Sequence, residues 1–310
     1  MYRLLLYGLG GIIAIAAVIS LFGEKLPFTA VDLTVAVVVA IAVCGGSNWL
    51  LAKLYRVPAN VESSYITALI LVCIITPELS MQGILLMGLV SVLAMASKYV
   101  LALNQKHVFN PAALAAMAVV LLGFNQVSWW VGSGVLLPAT ALFGLLVVRK
   151  IRRADLFISF LAPALVVLLY LGVVVDARPA LEVLTEVLLS WPLVFFGTIM
   201  LTEPLTTPPN RQGRIAYGVL VGVLMTSRWS LGGIYVSPQV ALVLGNILSF
   251  ILSPKQRLLL TLKEVVQMAP NVWDYVFTAP EKLRFTAGQY AEWTLAHGGS
   301  DDRGNRRYFT

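Results

Sequence analysis

The residues best suited to chemistry gather in one run of this 310-residue chain, Phe195–Arg214, with the sequence FFGTIMLTEPLTTPPNRQGR. Thr202, Thr206 and Thr207 supply hydroxyls, Glu203 a carboxylate, and Arg211 and Arg214 guanidinium groups. Hydroxyls and a carboxylate can bind the polar edge of a flat ligand. A guanidinium fork suits phosphate oxygens. Pro204, Pro208 and Pro209 end any helix here, because proline lacks an N–H and its ring clashes with the preceding turn. The run begins as an apolar span, so the chain leaves helix near membrane depth. Lipid cannot satisfy the freed backbone groups, and such a break survives only inside protein or along a cavity. The plainer alternative is a loop that happens to carry prolines.

An earlier stretch echoes this one. Ile74-Ile75-Thr76-Pro77-Glu78-Leu79 resembles Met200-Leu201-Thr202-Glu203-Pro204-Leu205 at an offset of 126 positions (202 minus 76). Phe109-Asn110-Pro111-Ala112 opens one apolar span and Val236-Ser237-Pro238-Gln239 opens another, their prolines 127 apart (238 minus 111). Proline-interrupted segments at matching places in two halves point to a binding site between inverted repeats. Asn110 followed by Pro111 also reads as a helix start, Asn at the N-cap and Pro at N1. A helix N-terminus is in turn an anion site.

These segments belong to a polytopic membrane protein. The chain is 59% hydrophobic and only 12% charged, against about 25% charged in soluble domains. Spans of roughly 20 apolar residues, fewer where broken, fall at about 4–22, 31–52, 63–76, 82–97, 108–124, 129–148, 156–174, 187–202, 215–227 and 235–253. The first could be mistaken for a signal peptide, but it is long enough to span and lacks a small-residue cleavage site. With ten spans, both termini lie on one side. That side carries Arg3, Lys53, Arg56, Lys98, Lys106, Arg149, Lys150, Arg152, Arg153, Arg211, Arg214, Lys255 and Arg257, while the other carries Lys25, Arg178 and Arg228. The positive-inside rule makes the first side cytoplasmic. The expectation is therefore an all-α fold of about ten transmembrane helices in two inverted five-helix repeats, in a bacterial-type cytoplasmic membrane.

The remaining single residues have bland readings. Cys44 and Cys73 sit in apolar runs as small hydrophobes, and His107 and His297 have no partners at metal-ligand spacing. Lys106-His107 reads as interfacial, with proton handling by His107 the minor alternative. Trp129-Trp130 reads as part of an interfacial aromatic belt. Asp32, Glu78, Asp155, Glu186 and Glu203 all fall near span ends, which lowers the odds of a mid-membrane proton relay.

Composition changes after about Ser253. Leu258–Met268, Trp273–Thr278 and Leu283–Thr294 read as β-strands separated by Ala269-Pro270-Asn271 and Ala279-Pro280 turns. Segment 254–310 is too short for a comfortable core. It is expected to be the first part of a β-barrel domain cut short at Thr310.

Two resemblances arise from these motifs. Asn110-Pro111-Ala112 and the run Thr202-Glu203-Pro204 through Asn210-Arg211-Gln212-Gly213-Arg214-Ile215-Ala216-Tyr217-Gly218 resemble the RnfD/NqrB family, over roughly residues 30–253. Its members are membrane components of the Rnf electron-transport complex and of the sodium-pumping NADH:quinone reductase. That family has Asp where this chain has Glu203. It also attaches FMN to a threonine of a Ser-Gly-Ala-Thr motif, where this chain has Phe124-Asn125-Gln126-Val127-Ser128, so no threonine is assigned as an anchor. The tail is similar to a ferredoxin–NADP reductase-type flavin domain, through Phe285-Thr286-Ala287-Gly288-Gln289-Tyr290 and Arg307-Tyr308-Phe309-Thr310. The resemblance gives Arg307 the FAD pyrophosphate, Phe309 the isoalloxazine ring and Thr310 the flavin N5 edge, with Tyr308 in the same motif.

The resemblances imply a transmembrane electron-transport domain at 1–253 and the N-terminal fragment of a cytoplasmic FAD domain at 254–310. Electrons would pass from NAD(P)H through FAD to a flavin (FMN or riboflavin) or quinone in the membrane domain. Asn110, Thr202, Glu203, Thr206, Thr207 and Arg214 are the candidate membrane-site residues, and other membrane subunits are candidate partners. Nucleic acid is not an expected partner. Residues 1–310 alone are not expected to oxidise NAD(P)H. A solute or ion transporter on the same inverted repeat is the competing expectation, and a membrane anchor for the flavin domain is a third.

Overall fold

The computed structural model describes residues 2–23, 25–57, 59–103, 106–253, 258–280, 291–294 and 306–309. The chain forms two compact units, Met1–Pro254 and Lys255–Thr310.

The first unit is helical. In order come α1 (Tyr2–Phe22), α2 (Ala30–Leu54), α3 (Val61–Ile74), α4 (Met81–Val100), α5 (Pro111–Leu121), α6 (Leu137–Ile151), α7 (Ala154–Val175), α8 (Ala180–Ser190), α9 (Leu193–Met200), α10 (Arg211–Thr226) and α11 (Pro238–Leu252). Four of these, α1, α2, α4 and α7, are long and apolar enough to cross a membrane. A fifth crossing is possible if α8 and α9, bent by 55° at Trp191-Pro192, count as one. Exposed Leu, Val and Ile side chains on these helices are what a lipid-facing surface requires.

Each of the ten apolar segments contains helix, with bounds that differ where local chemistry intervenes. The fifth begins at Pro111 rather than 108, because Asn110 caps it: its Oδ1 accepts from the Ala113 N–H at 3.0 Å. The sixth begins at Leu137, since 129–136 is an irregular stretch around a short turn at Trp130–Gly132. The eighth is the bent α8–α9 pair, ending in a π-helical turn at Phe196–Met200.

The helices pack through small residues. Gly218 and Gly222 of α10 face α7: a Cβ on Gly222 would stand 2.5 Å from the Phe160 carbonyl oxygen, and one on Gly218 3.0 Å from that of Leu156. With no hydrophobic driving force between helices in lipid, such close backbone approach is what holds them.

Two chain breaks interrupt the helices. At the first, after Ile74, the chain runs extended. Ile75 pairs antiparallel with Val127, the Thr76 N–H donates to the Gln126 carbonyl at 2.9 Å, and the Ser128 and Trp129 N–H groups both reach the Ile74 carbonyl, at 3.0 and 3.1 Å. Trp129 adopts the left-handed conformation at φ 53°, a rare choice for a bulky residue. The expectation that Trp129-Trp130 sits in a perimeter belt is corrected here. Both indoles are buried, with Trp129 Nε1 donating to Gln239 Oε1 at 3.1 Å and Trp130 Nε1 to the Val72 carbonyl at 2.7 Å. The irregular stretch returns them to the freed carbonyls of α3. The second break covers 201–210, between α9 and α10.

The second unit contains two antiparallel pairs, β5 (Thr261–Ala269) with β6 (Val272–Thr278), and β7 (Ala291–Thr294) with β8 (Arg306–Phe309). Pro270-Asn271 turns the first hairpin, Asn271 at φ 62°. Two-residue hairpins at Ala102–His107 and Ser230–Tyr235 in the first unit complete the described strands, β1–β2 and β3–β4.

Candidate functional site

The second break carries a polar cluster centred on Glu203. Its Oε1 accepts from His107 Nε2 at 2.9 Å, and its Oε2 accepts from Asn110 Nδ2 at 2.9 Å and from the Thr206 hydroxyl at 3.1 Å. Local sequence explains each position. The Ala102–His107 hairpin ends three residues before the cap of α5, which sets His107 and Asn110 beside one another. Pro204 turns the chain after α9 and brings Thr206 back over Glu203.

Behind this front lies a second layer. Asn246 of α11, fully buried, accepts the Asn110 backbone N–H on Oδ1 at 2.8 Å. Its Nδ2 donates to the Tyr217 hydroxyl on α10 at 3.0 Å and to the Thr206 carbonyl at 3.4 Å. Tyr217 is also fully buried. The network therefore ties α5, α10, α11 and the break to one carboxylate.

On the α4 side, Lys98 Nζ donates to the Ser63 carbonyl and hydroxyl, both at 3.0 Å, and to the Thr67 hydroxyl at 2.8 Å. Lys98 was expected as a loop charge that sets topology. It instead lies in α4, part-buried against α3. His107, expected at the interface, is buried at 9% exposure.

Of the candidate residues, Asn110, Glu203 and Thr206 are brought together. Thr202 is buried but donates to the Thr198 carbonyl at 2.6 Å, and Thr207 donates to the Pro204 carbonyl at 3.4 Å. Arg214 is held elsewhere: its Nη2 meets Asp155 Oδ2 at 2.6 Å and its Nη1 the Pro209 carbonyl at 2.7 Å, which latches the break to the start of α7. Asn246, Tyr217 and Lys98 are the residues that sequence reasoning did not place here, and His107 entered it only as the minor proton-handling alternative. For Asn246 the signal was present, an amide in the middle of an apolar span, since polar groups at such depth are conspicuous.

The cluster does not fit a flavin phosphate. A phosphate placed here would meet the Glu203 carboxylate, while the Arg214 guanidinium is committed to Asp155 and Pro209. The Glu203 oxygens already accept from three donors. Two cavities lie away from the cluster, one of about 570 Å³ along α8 and one of about 100 Å³ among α7, α8 and the end of α10.

In the second unit, β8 pairs with β7 in the register Trp293 to Arg307 and Ala291 to Phe309. Thr310 and Phe285–Tyr290 lie outside the described residues. Among the described residues no group of three or more His, Cys, Asp or Glu side chains could hold a metal ion. Protein-family models gave no match to this chain, and curated proteins gave none.

Proposed function

We propose that the chain is the membrane-embedded part of a flavin-dependent electron-transfer protein of a bacterial-type cytoplasmic membrane, with both termini cytoplasmic. NAD(P)H would be oxidised in a cytoplasmic FAD domain that residues 254–310 open. Electrons would pass to a quinone, or to a phosphate-free flavin such as riboflavin, among the broken helices. FAD supplies the redox chemistry when bound. Arg307, Tyr308, Phe309 and Thr310 are the residues that would hold it.

The observation that carries this reading is the β7–β8 ladder. Phe285–Tyr290 runs directly into β7, and β7 is hydrogen-bonded along its length to Arg306–Phe309. The segment that follows the first motif in the chain is therefore paired with Arg307–Phe309 of the second, which supports a shared ligand. The ten-span, inverted-repeat arrangement has a different support. Each break is met by a proline-started helix from the other half: α5, through Asn110, at the second break, and α11, through Gln239 and Trp129, at the first.

The test is the visible spectrum of the whole chain purified in mild detergent, with and without added FAD, followed by denaturation. Expected is a flavin band retained on gel filtration and released by denaturation, and weakened by Arg307→Ala. No band, with or without added FAD, sinks the reading.

A second reading, an ion or solute transporter, is favoured by the His107–Glu203 pair, because ionisable pairs inside a membrane unit commonly line substrate or ion paths. Flux in reconstituted vesicles without any electron donor would put this reading first.

A further inference from the structure

The electron-transfer reading does not use the His107–Glu203 pair. We propose that this pair is a proton-binding site, loaded from the face at which Glu203 is exposed. The proposal requires only the first unit and stands whether or not the chain binds a flavin.

Donor direction is the first argument. Asn110 Oδ1 is fixed on the Ala113 N–H at 3.0 Å, so Nδ2 must be the atom aimed at Glu203. Asn246 is fixed in the same way, its Oδ1 on the Asn110 N–H and its Nδ2 on Tyr217. The carboxylate thus faces an N–H, a hydroxyl and an imidazole nitrogen. A hard cation such as sodium or calcium needs a cage of oxygen acceptors, and this cluster offers the opposite polarity. A proton is the cation it can take.

Charge balance is the second. The titratable groups facing Glu203 among the described residues are His107, Lys98 from α4 and Tyr217 from α10. With Lys98 charged, Glu203 ionised and His107 neutral, the cluster is neutral. One proton from solvent converts neutral imidazole and carboxylate into imidazolium and carboxylate, and the cluster gains one positive charge. Nε2–H already donates along the 2.9 Å line to Oε1, so the added proton is held on Nδ1 and the imidazolium charge strengthens the bond to the carboxylate. Release is the reverse, and no other bond changes.

Access is the third. The Glu203 side chain is 25% exposed and His107 9%, while Asn246 and Tyr217 are fully buried. The site opens through Glu203 and closes at the second layer. Ionisable groups at membrane depth are costly unless they are used.

The two histidines of the chain make the test specific. The full chain carrying His297→Gln, labelled with ¹⁵N-histidine and purified in detergent, has one imidazole to observe by NMR. Expected is a pH-dependent exchange of the His107 nitrogens between neutral and imidazolium forms, and loss of the imidazolium signal at fixed pH in Glu203→Gln. Signals frozen in one form at every pH the fold withstands would overturn the proposal, and so would identical signals with and without Glu203. Should Glu203→Gln fail to fold, the titration of the chain with Glu203 intact decides alone. Adding sodium ions at fixed pH is expected to leave the signals unmoved. A sodium-dependent shift would replace the proton by a metal cation and refute the assignment.

Discussion

Asn246→Leu should destabilise the first unit. Leu repeats the branched skeleton of Asn among α5, α10 and α11, with methyl groups in place of the amide oxygen and nitrogen. The substitution strips partners from two buried groups: the Asn110 backbone N–H, bonded at 2.8 Å, and the Tyr217 hydroxyl, bonded at 3.0 Å. Tyr217 and Asn246 are fully buried and Asn110 is 3% exposed, so water cannot replace the lost bonds. Leaving a buried polar group unpaired costs about 1–3 kcal/mol, so the two together cost about 2–6 kcal/mol. Adding Tyr217→Phe removes one of the two orphans. The double variant should therefore be more stable than Asn246→Leu by about 1–3 kcal/mol, although Tyr217→Phe alone destabilises. The assay is a double-mutant cycle on unfolding in detergent, followed by intrinsic fluorescence. Additive effects of the two substitutions would refute the argument, because they would mean that Asn246 and Tyr217 do not depend on each other.

Three further predictions concern packing, the latch and pH. Gly222→Ala should cost about 1–3 kcal/mol, because its Cβ would meet a backbone oxygen at 2.5 Å, whereas Gly88→Ala, with nothing within 4 Å, should be neutral or stabilising; equal thermal stabilities for the two would contradict close α7–α10 packing. Asp155→Asn should cost about 3 kcal/mol, because it leaves the largely buried Arg214 guanidinium without its counter-charge, and should speed proteolysis within 201–210; unchanged cleavage there would show that the latch does not hold the break. The Arg228 guanidinium bonded to Asp176 holds that carboxyl below its usual range. A lowered folded-state value contributes stability above the unfolded value and loses it as pH falls through the folded one, so Arg228→Ala should lower stability slightly at neutral pH, leave it unchanged at the lowest pH, and thereby flatten the acid limb of a stability–pH curve; an unaltered acid limb would remove this pair from the account.

Both breaks were legible in the sequence, because proline and a run of hydroxyls after an apolar span have one physical meaning. The cap at Asn110 and the Pro270-Asn271 turn were legible for the same reason: they are local. The centre of the cluster was not. His107 meets Glu203 across 96 positions, and Asn110 meets Asn246 across 136. Nothing near His107 in sequence marks it as a partner, and beside Lys106 it reads like any interfacial residue. The partners of Lys98 were hidden for a related reason. A lysine near the end of an apolar segment follows the positive-inside rule, and only the packing of α4 on α3 reveals the Ser63 and Thr67 oxygens that solvate it. The double tryptophan misled because its fate depends on a left-handed backbone at Trp129. The bend at Trp191-Pro192 was hidden because apolar residues continue on both sides of it.

The two breaks meet the same demand by different means, and the difference explains where the titratable groups lie. At the first, the freed Val72 carbonyl accepts from the Trp130 indole and the Ile74 carbonyl from the Ser128 and Trp129 backbone N–H groups, all of them neutral. Its carboxylate, Glu78, is exposed and makes no hydrogen bond or ion pair among the described residues. At the second, among the described residues, no backbone pairing of the kind between Ile75 and Val127 is made. The Met200 carbonyl is left to Asn110 Nδ2 at a long 3.5 Å, and Glu203 turns inward to gather that same amide, Thr206 and His107. A break closed by backbone pairing is inert to pH and ions. A break closed by a carboxylate and an imidazole is not, because its hydrogen bonds change with each proton gained or lost. If the halves are inverted repeats, the chain has kept one break as scaffold and made the other responsive. Replacing Glu203 should then alter proton binding, whereas replacing Glu78 should alter neither proton binding nor stability.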